Sequence, residues 1–143
     1  MADKPFSQAC DNNQQAILAI LERVFTQAQQ VLEIGSGTGQ HASYFAPRLP
    51  HLIWQTSDQA EYHPGINAWI DDASATNLRR PLVLNVDMPE WPIAKADAVF
   101  SANTCHIMGW ASVVNMFAQL ENVLTAGGTL AIYGPFNYDG QFT

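Results

Sequence analysis

The sequence predicts an α/β fold: a doubly wound parallel sheet with helices on both faces. Three observations predict it. Short apolar runs of strand length alternate with segments of helical apolar spacing. A glycine-rich turn joins the first run directly to a helix, as a tight strand-to-helix connection requires. Acids stand at the far ends of the second and third runs, the end at which such sheets bind ligands.

In chain order, Ile17, Ile20, Leu21, Val24 and Phe25 recur at helical spacing, with Ser7 or Asp11 as the cap. Residues 31–35 form a short apolar run suited to a buried parallel strand. Helix resumes from Gly39, with Ala42, Phe45 and Ala46 on one side, until Pro47. "HLIWQTSD" (51–58) reads as the second strand, and Ile66, Trp69, Ile70 and Ala73 mark the next helix. "LVLNVD" (82–87) and "ADAVFSAN" (96–103) read as strands three and four. Val113, Phe117, Leu120 and Leu124 make a long amphipathic helix, which "AGG" (126–128) ends. "TLAIYG" (129–134) is the fifth strand, and crossovers are expected to be right-handed.

Residues 1–143 read as a single domain with no repeat or linker. The tail "GPFNYDGQFT" is a polar, Gly-rich turn, so strand five is left as an apolar edge. Either the chain is a piece of a longer protein, the favoured expectation, or a partner covers that edge; self-association there is one such expectation.

Hydrophobic residues make up 48% of the chain and can fill one core, while 13% charged residues argue against disorder. The formal charge is −7, and Arg79-Arg80 is the one adjacent basic pair. No basic stripe exists to track phosphates, so nucleic acid is not expected as a partner. No signal core opens the chain and no apolar run is long enough to span a bilayer. The expectation is a cytoplasmic protein without membrane contact. Cys10 and Cys105 lie far apart and in no metal spacing, so no metal site is expected.

The chemistry is concentrated in "VLEIGSGTGQ" (31–40). Glu33 interrupts an apolar run, and Gly35, Gly37 and Gly39 follow at alternate positions, with Ser36 and Thr38 between them. Glycines there permit a tight turn and let a ligand touch the main chain. The helix that follows offers free N–H groups to an anion. A dinucleotide loop wants G-x-G-x-x-G; here the third glycine comes one residue early and Gln40 takes its place. Asp58 ends strand two, 19 residues after Gly39, where a carboxylate can accept both ribose hydroxyls. That feature indicates a nucleoside without choosing between cofactors. A purely structural strand-helix turn and an NAD-type oxidoreductase remain the rival readings of this stretch.

The order E-x-G-x-G-x-G resembles the S-adenosylmethionine (SAM) loop of class I methyltransferases. The resemblance implies a Rossmann-like αβα core of strand order 3-2-1-4-5, and a loop of Glu33, Gly35, Ser36, Gly37, Thr38 and Gly39 around the methionine part of SAM. In that family the acid helps hold the ammonium group, an acid after strand three bonds the adenine amino group, and residues after strand four lie beside the reacting methyl. Those roles fall on Glu33, on Asp87 with Met88 beside the ring, and on Asn103. Beyond the general fold, "CDNNQQAIL" (10–18), "VLEIGSGTGQHASYFA" (31–46), "WQTSD" (54–58), "NTCHI" (103–107) and "IYGPFNYDGQFT" (132–143) resemble the methyltransferase-like 26 family, domain of unknown function 938. Its members are longer, which implies that the last two strands of a seven-stranded sheet are missing here.

The expected reaction is methyl transfer from SAM to a small-molecule acceptor, leaving S-adenosylhomocysteine (SAH). A module that binds SAM or SAH without transfer is the rival reading. His106 is the candidate base, since histidine titrates near neutral pH, and Asn103 could face both cofactor and acceptor. His41 could border the cofactor's carboxylate, but the favoured expectation is a partly exposed helical histidine. Tyr133 and Tyr138 could line an acceptor pocket, and Asn12 and Asn13 could form a lid. Trp54, Trp69, Trp91 and Trp110 are read as packing residues.

Overall fold

The computed structural model describes residues 4–102, 108–134, 137–138 and 141–142. Helix α1 (Gln8–Val24) leads into β1 (Gln30–Glu33), α2 (Gln40–Arg48) and β2 (Ile53–Asp58). A short 3-10 turn then precedes α3 (His63–Asp72), β3 (Leu78–Val83), β4 (Ala96–Ala102), α4 (Trp110–Val123) and β5 (Leu124–Tyr133). The five strands are parallel neighbours in the order β3-β2-β1-β4-β5. The sheet is therefore the doubly wound one that the sequence predicts, with β1 in its centre.

Alternation along the central strands splits the core in two. Val31, Ala98 and Phe100 face one side, where Ile17 and Leu21 of α1, Phe25 just after it and Phe45 of α2 pack. Leu32 and Val99 face the other, against Met116, Leu120 and Val123 of α4. Of the two proposed caps, Ser7 is the one used: its Oγ accepts from the Cys10 N–H at 3.3 Å. Within α1, Ile20 and Val24 remain exposed, because the face carrying Ile17 and Leu21 is the buried one.

Three boundaries differ from the sequence reading, each for a physical reason. The third strand is 78–83, not 82–87. It is an edge strand, so its Arg79 and Arg80 face water and Pro81 needs no ladder partner. Leu84 and Val86 are buried by the chain that leaves the sheet. Helix α2 runs through Pro47 to Arg48. Asn77 Nδ2 closes that end by donating to the carbonyls of Ala46 and Leu52, at 2.8 and 2.7 Å. Helix α4 ends at Val123 and Leu124 is already extended, so "AGG" does not stop the helix. The glycines occupy an irregularity of β5, where the register jumps from Leu124 to Thr129 and Gly127 takes φ 78°.

Beyond β5, residues Asn137–Tyr138 (β6) and Gln141–Phe142 (β7) pair as a short antiparallel ribbon instead of the expected turn. No helix among the described residues is long and apolar enough to cross a membrane.

Candidate functional site

Doubly wound sheets bind ligands outside the carboxyl ends of the strands, where the strand order reverses. Here β1 lies between β2 and β4, so the reversal falls at the end of β1, where the glycine loop begins. A cleft of about 790 Å³ opens there, within the range of small-ligand sites. The glycine loop forms its floor and Asp58 one side. The chain after β3 (Leu84 to Asp87) forms the second wall, and the start of α4 the third. Ser7, Ala9 and Cys10 of the N-terminal segment close over the remaining side.

The loop is held from beneath. Glu33 is buried, and its Oε1 accepts from Ser36 Oγ at 2.8 Å and Trp54 Nε1 at 3.2 Å. Ser36 Oγ accepts in turn from the Ser57 N–H at 3.0 Å, and the Ser36 N–H donates to the Ser57 carbonyl at 2.8 Å. β1, the loop and β2 are thus one hydrogen-bonded unit. Burial raises the Glu33 carboxyl from 4.5 to about 7; the bonds from Ser36 and Trp54 pull it back in part, and nearby Asp58 adds to the rise.

The loop glycines do different things. Gly37 takes φ +59° and has open space where a Cβ would stand, and it lines the cleft. Its N–H donates to Asp58 Oδ2 at 2.8 Å. Gly39 takes φ +89°, and a Cβ there would lie 2.8 Å from Ile66 Cα. Gly39 therefore lets α2 approach α3, and is a packing residue rather than a lining one. Asp58 also accepts from the Gln59 N–H at 2.7 Å. Its burial raises its pKa, and the bonds from Gly37 and Gln59 oppose that rise. Two N–H donors leave a carboxylate with acceptor sites to spare.

Of the sequence-predicted residues, Gly35, Gly37, Thr38, Asp58 and Asp87 come together on the lining. Glu33, Ser36 and Gly39 lie behind it, as the supports just described. Met88 packs with the apolar cluster under α4, and its sulfur accepts from the Asn85 N–H at 3.2 Å. Asn103 and His106, and with them Cys105, lie outside the described residues. So does the side chain of Tyr138, while Tyr133 is exposed on the edge strand.

His41 corrects an expectation. It is 4% exposed, not a surface histidine, because its ring stacks on Phe45 at 5.2 Å and meets the edge of Phe100 at 6.2 Å. Burial lowers its pKa from 6.5 to about 4, and a backbone hydrogen bond with Cys10 opposes that. It is neutral at physiological pH, lines the cleft, and its Nε2 is buried without a hydrogen-bond partner among the described residues.

Sequence reasoning missed Ser7, Cys10, Tyr62, Asn85 and Ser112, all of which line the cleft. Asn85 carried a signal: it stands two residues before Asp87, and its Oδ1 accepts from the Asp87 N–H at 3.0 Å. Ser112 carried none, because its relation to Asp87 exists only in three dimensions. Among the described residues no group of three or more His, Cys, Asp or Glu is placed to hold a metal.

These residues fit a nucleoside with a cationic tail. Asp58 can take ribose hydroxyls, Leu84 and Val86 offer an apolar wall, and the described lining carries acids and neither Lys nor Arg.

Solved structures share this architecture. The chain is similar to the S-adenosylmethionine-dependent methyltransferase SibL, with a TM-score of 0.80 and 19% identity over 92% of this chain and 38% of that one. An O-methyltransferase family protein from Burkholderia thailandensis gives a TM-score of 0.70 and 17% identity over 87% of this chain and 38% of that one. Human N-acetylserotonin methyltransferase, solved in complex with SAM, gives 0.71 and 14% over 87% and 34%. The chain thus spans little more than a third of the length of these neighbours, and the likeness is one of fold. The fold is that of the SAM-dependent methyltransferases. By sequence, the model of a protein family of unknown function, DUF938, matches residues 4–143, and the chain belongs to that family.

Proposed function

We propose that this chain is the cofactor-binding core of a SAM-dependent methyltransferase. The observation that carries the reading is the pairing of Gly37 with Asp58. A left-handed glycine, open on its cleft side, stands hydrogen-bonded to a strand-end carboxylate at the centre of a methyltransferase fold. The likeness to the methyltransferase-like 26 group supports the same reading.

SAM supplies an electrophilic methyl group on a sulfonium. The protein's part is to hold and align. Gly35, Gly37 and Thr38 give the methionine portion bare main chain, and Glu33, bonded to Ser36 and Trp54, holds that loop in place from beneath. Asp58 takes the ribose, and Asp87 with Leu84 and Val86 takes the purine. We assign to Asn103 and His106, which follow β4 in sequence, the orientation of the acceptor and removal of its proton. A cleft of about 790 Å³ and the absence of a basic stripe support a small-molecule acceptor.

Calorimetric titration tests this. SAM and SAH are expected to bind with Kd values on the order of micromolar, and NAD not at all. Asp58→Ala should weaken both ligands about tenfold or more. Gly37→Ala should do the same by placing a methyl group in the cleft. Binding of NAD alone would overturn the assignment; equal SAH affinity of wild type and Asp58→Ala would remove the ribose role.

A further inference from the structure

Asp87 is an exposed residue on a loop, yet it is fixed from two directions. The Asn85 side chain holds its main chain. Two side chains of α4 hold its carboxylate: Ser112 Oγ donates to Oδ2 at 2.9 Å and Asn115 Nδ2 donates to Oδ1 at 2.9 Å. Ser112 and Asn115 are three apart, so they share one helix face and can reach the two oxygens of one carboxylate together. A carboxylate has about four acceptor sites; one bond to each oxygen leaves capacity for a further N–H donor. Asp87 and Ser112 both line the cleft, beside the apolar Leu84 and Val86. The clamp also ties the wall after β3 to the helix after β4.

We infer that Ser112 and Asn115 are positioning residues that aim Asp87 at the exocyclic amino group of the bound purine, so that this pair sets the preference for adenine over hypoxanthine. The inference rests on the cofactor reading above. The chemistry is one of donor and acceptor. The 6-amino group of adenine donates to a carboxylate, whereas the 6-carbonyl group of hypoxanthine meets it with a like lone pair. A carboxylate free to rotate would turn toward water and lose most of that distinction. A plain structural alternative also exists: an acid near the start of α4 favours the helix dipole, and the contact would then only staple loop to helix.

The two are separated by a ratio. SAH and its deaminated analogue S-inosylhomocysteine are titrated by calorimetry against wild type, Ser112→Ala/Asn115→Ala, Asn115→Ala and Ser112→Thr. Wild type should prefer SAH about tenfold or more, the difference expected for a bond to a charged acceptor. The double variant should bring the two ligands within about threefold of each other, and Ser112→Thr, which keeps the hydroxyl, should retain the wild-type ratio. Should the double variant fail to fold, Asn115→Ala carries the test: it is an exposed residue, and the ratio should fall part of the way. A lower melting temperature with an unchanged ratio would show a staple and overturn the inference while leaving the cofactor reading intact. Absence of SAH binding to wild type would overturn both.

Discussion

Glu33 is buried beneath the cleft and His41 in its wall, and they bend the pH dependence of stability in opposite directions. Glu33 is raised from 4.5 to about 7, so the folded chain holds a proton that the unfolded chain has released. Its contribution is complete below pH 4.5 and is lost as pH rises through about 7. His41 is lowered from 6.5 to about 4, so its contribution is complete above 6.5 and is lost as pH falls toward 4. Each window is worth on the order of 3 kcal/mol, and between pH 4.5 and 6.5 the two slopes oppose. Asp58, also raised by burial, adds to the side of Glu33. Glu33→Gln keeps an oxygen for Ser36 and Trp54 but cannot titrate. Urea unfolding at a series of pH values should then show stability climbing by about 2 kcal/mol from pH 4.5 to 6.5 in the variant, against a nearly flat wild type. Parallel curves would mean that folded Glu33 is ionised throughout. The sequence shows Glu33 as an acid in an apolar run, and so its burial is legible. The burial of His41 is not, because the rings that cover it, Phe45 and Phe100, come from two elements far apart in the chain.

At the scale of elements, the type and order of the five sheet strands and their helices follow from apolar spacing, whereas boundaries follow from where each run ends up. Residues 82–87 have the pattern of a strand, but burial does not require pairing. Leu84 and Val86 are buried as a cleft wall, and so the strand stops at Val83. A second illegible feature sits at the other end of the sheet. Asp97, in β4, accepts the N–H groups of Gln29 at 2.9 Å and Gln30 at 2.8 Å, and so starts β1 beside β4. Nothing local in the sequence joins residue 97 to residue 30. Asp97→Ala leaves two main-chain donors at the strand entry to water or to nothing. Chemical denaturation should show a loss of about 1–2 kcal/mol, less than a fully buried charged bond since Gln29 is exposed. Calorimetry should show unchanged SAH affinity, because Asp97 stands at the end of the sheet opposite the cleft. A change in affinity would mean that the register of β1 itself depends on Asp97.

For the molecule as a whole, the relevant quantity is charge. The chain carries −7, and none of its six Lys and Arg is on the described lining of the cleft. The segment 103–107, "NTCHI", contains neither. Asp58 and Asp87 line the cleft, and His41 is neutral above about pH 4. Such a cleft focuses a negative potential. SAM carries one more positive charge than SAH, at the sulfur, and differs otherwise only by the methyl group there, with the same N–H and O–H hydrogen-bonding groups. The difference in how the two respond to salt therefore isolates the field from the contacts. The Debye length shrinks from about 30 Å at 0.01 M salt to about 3 Å at 1 M. Across that range the Kd of SAM should rise about three- to tenfold, while that of SAH should change less than about twofold. The same field disfavours any anionic ligand in the cleft. Equal salt responses of SAM and SAH would show that the acids of the cleft act through direct hydrogen bonds alone, with the net charge of the protein irrelevant to its choice of ligand.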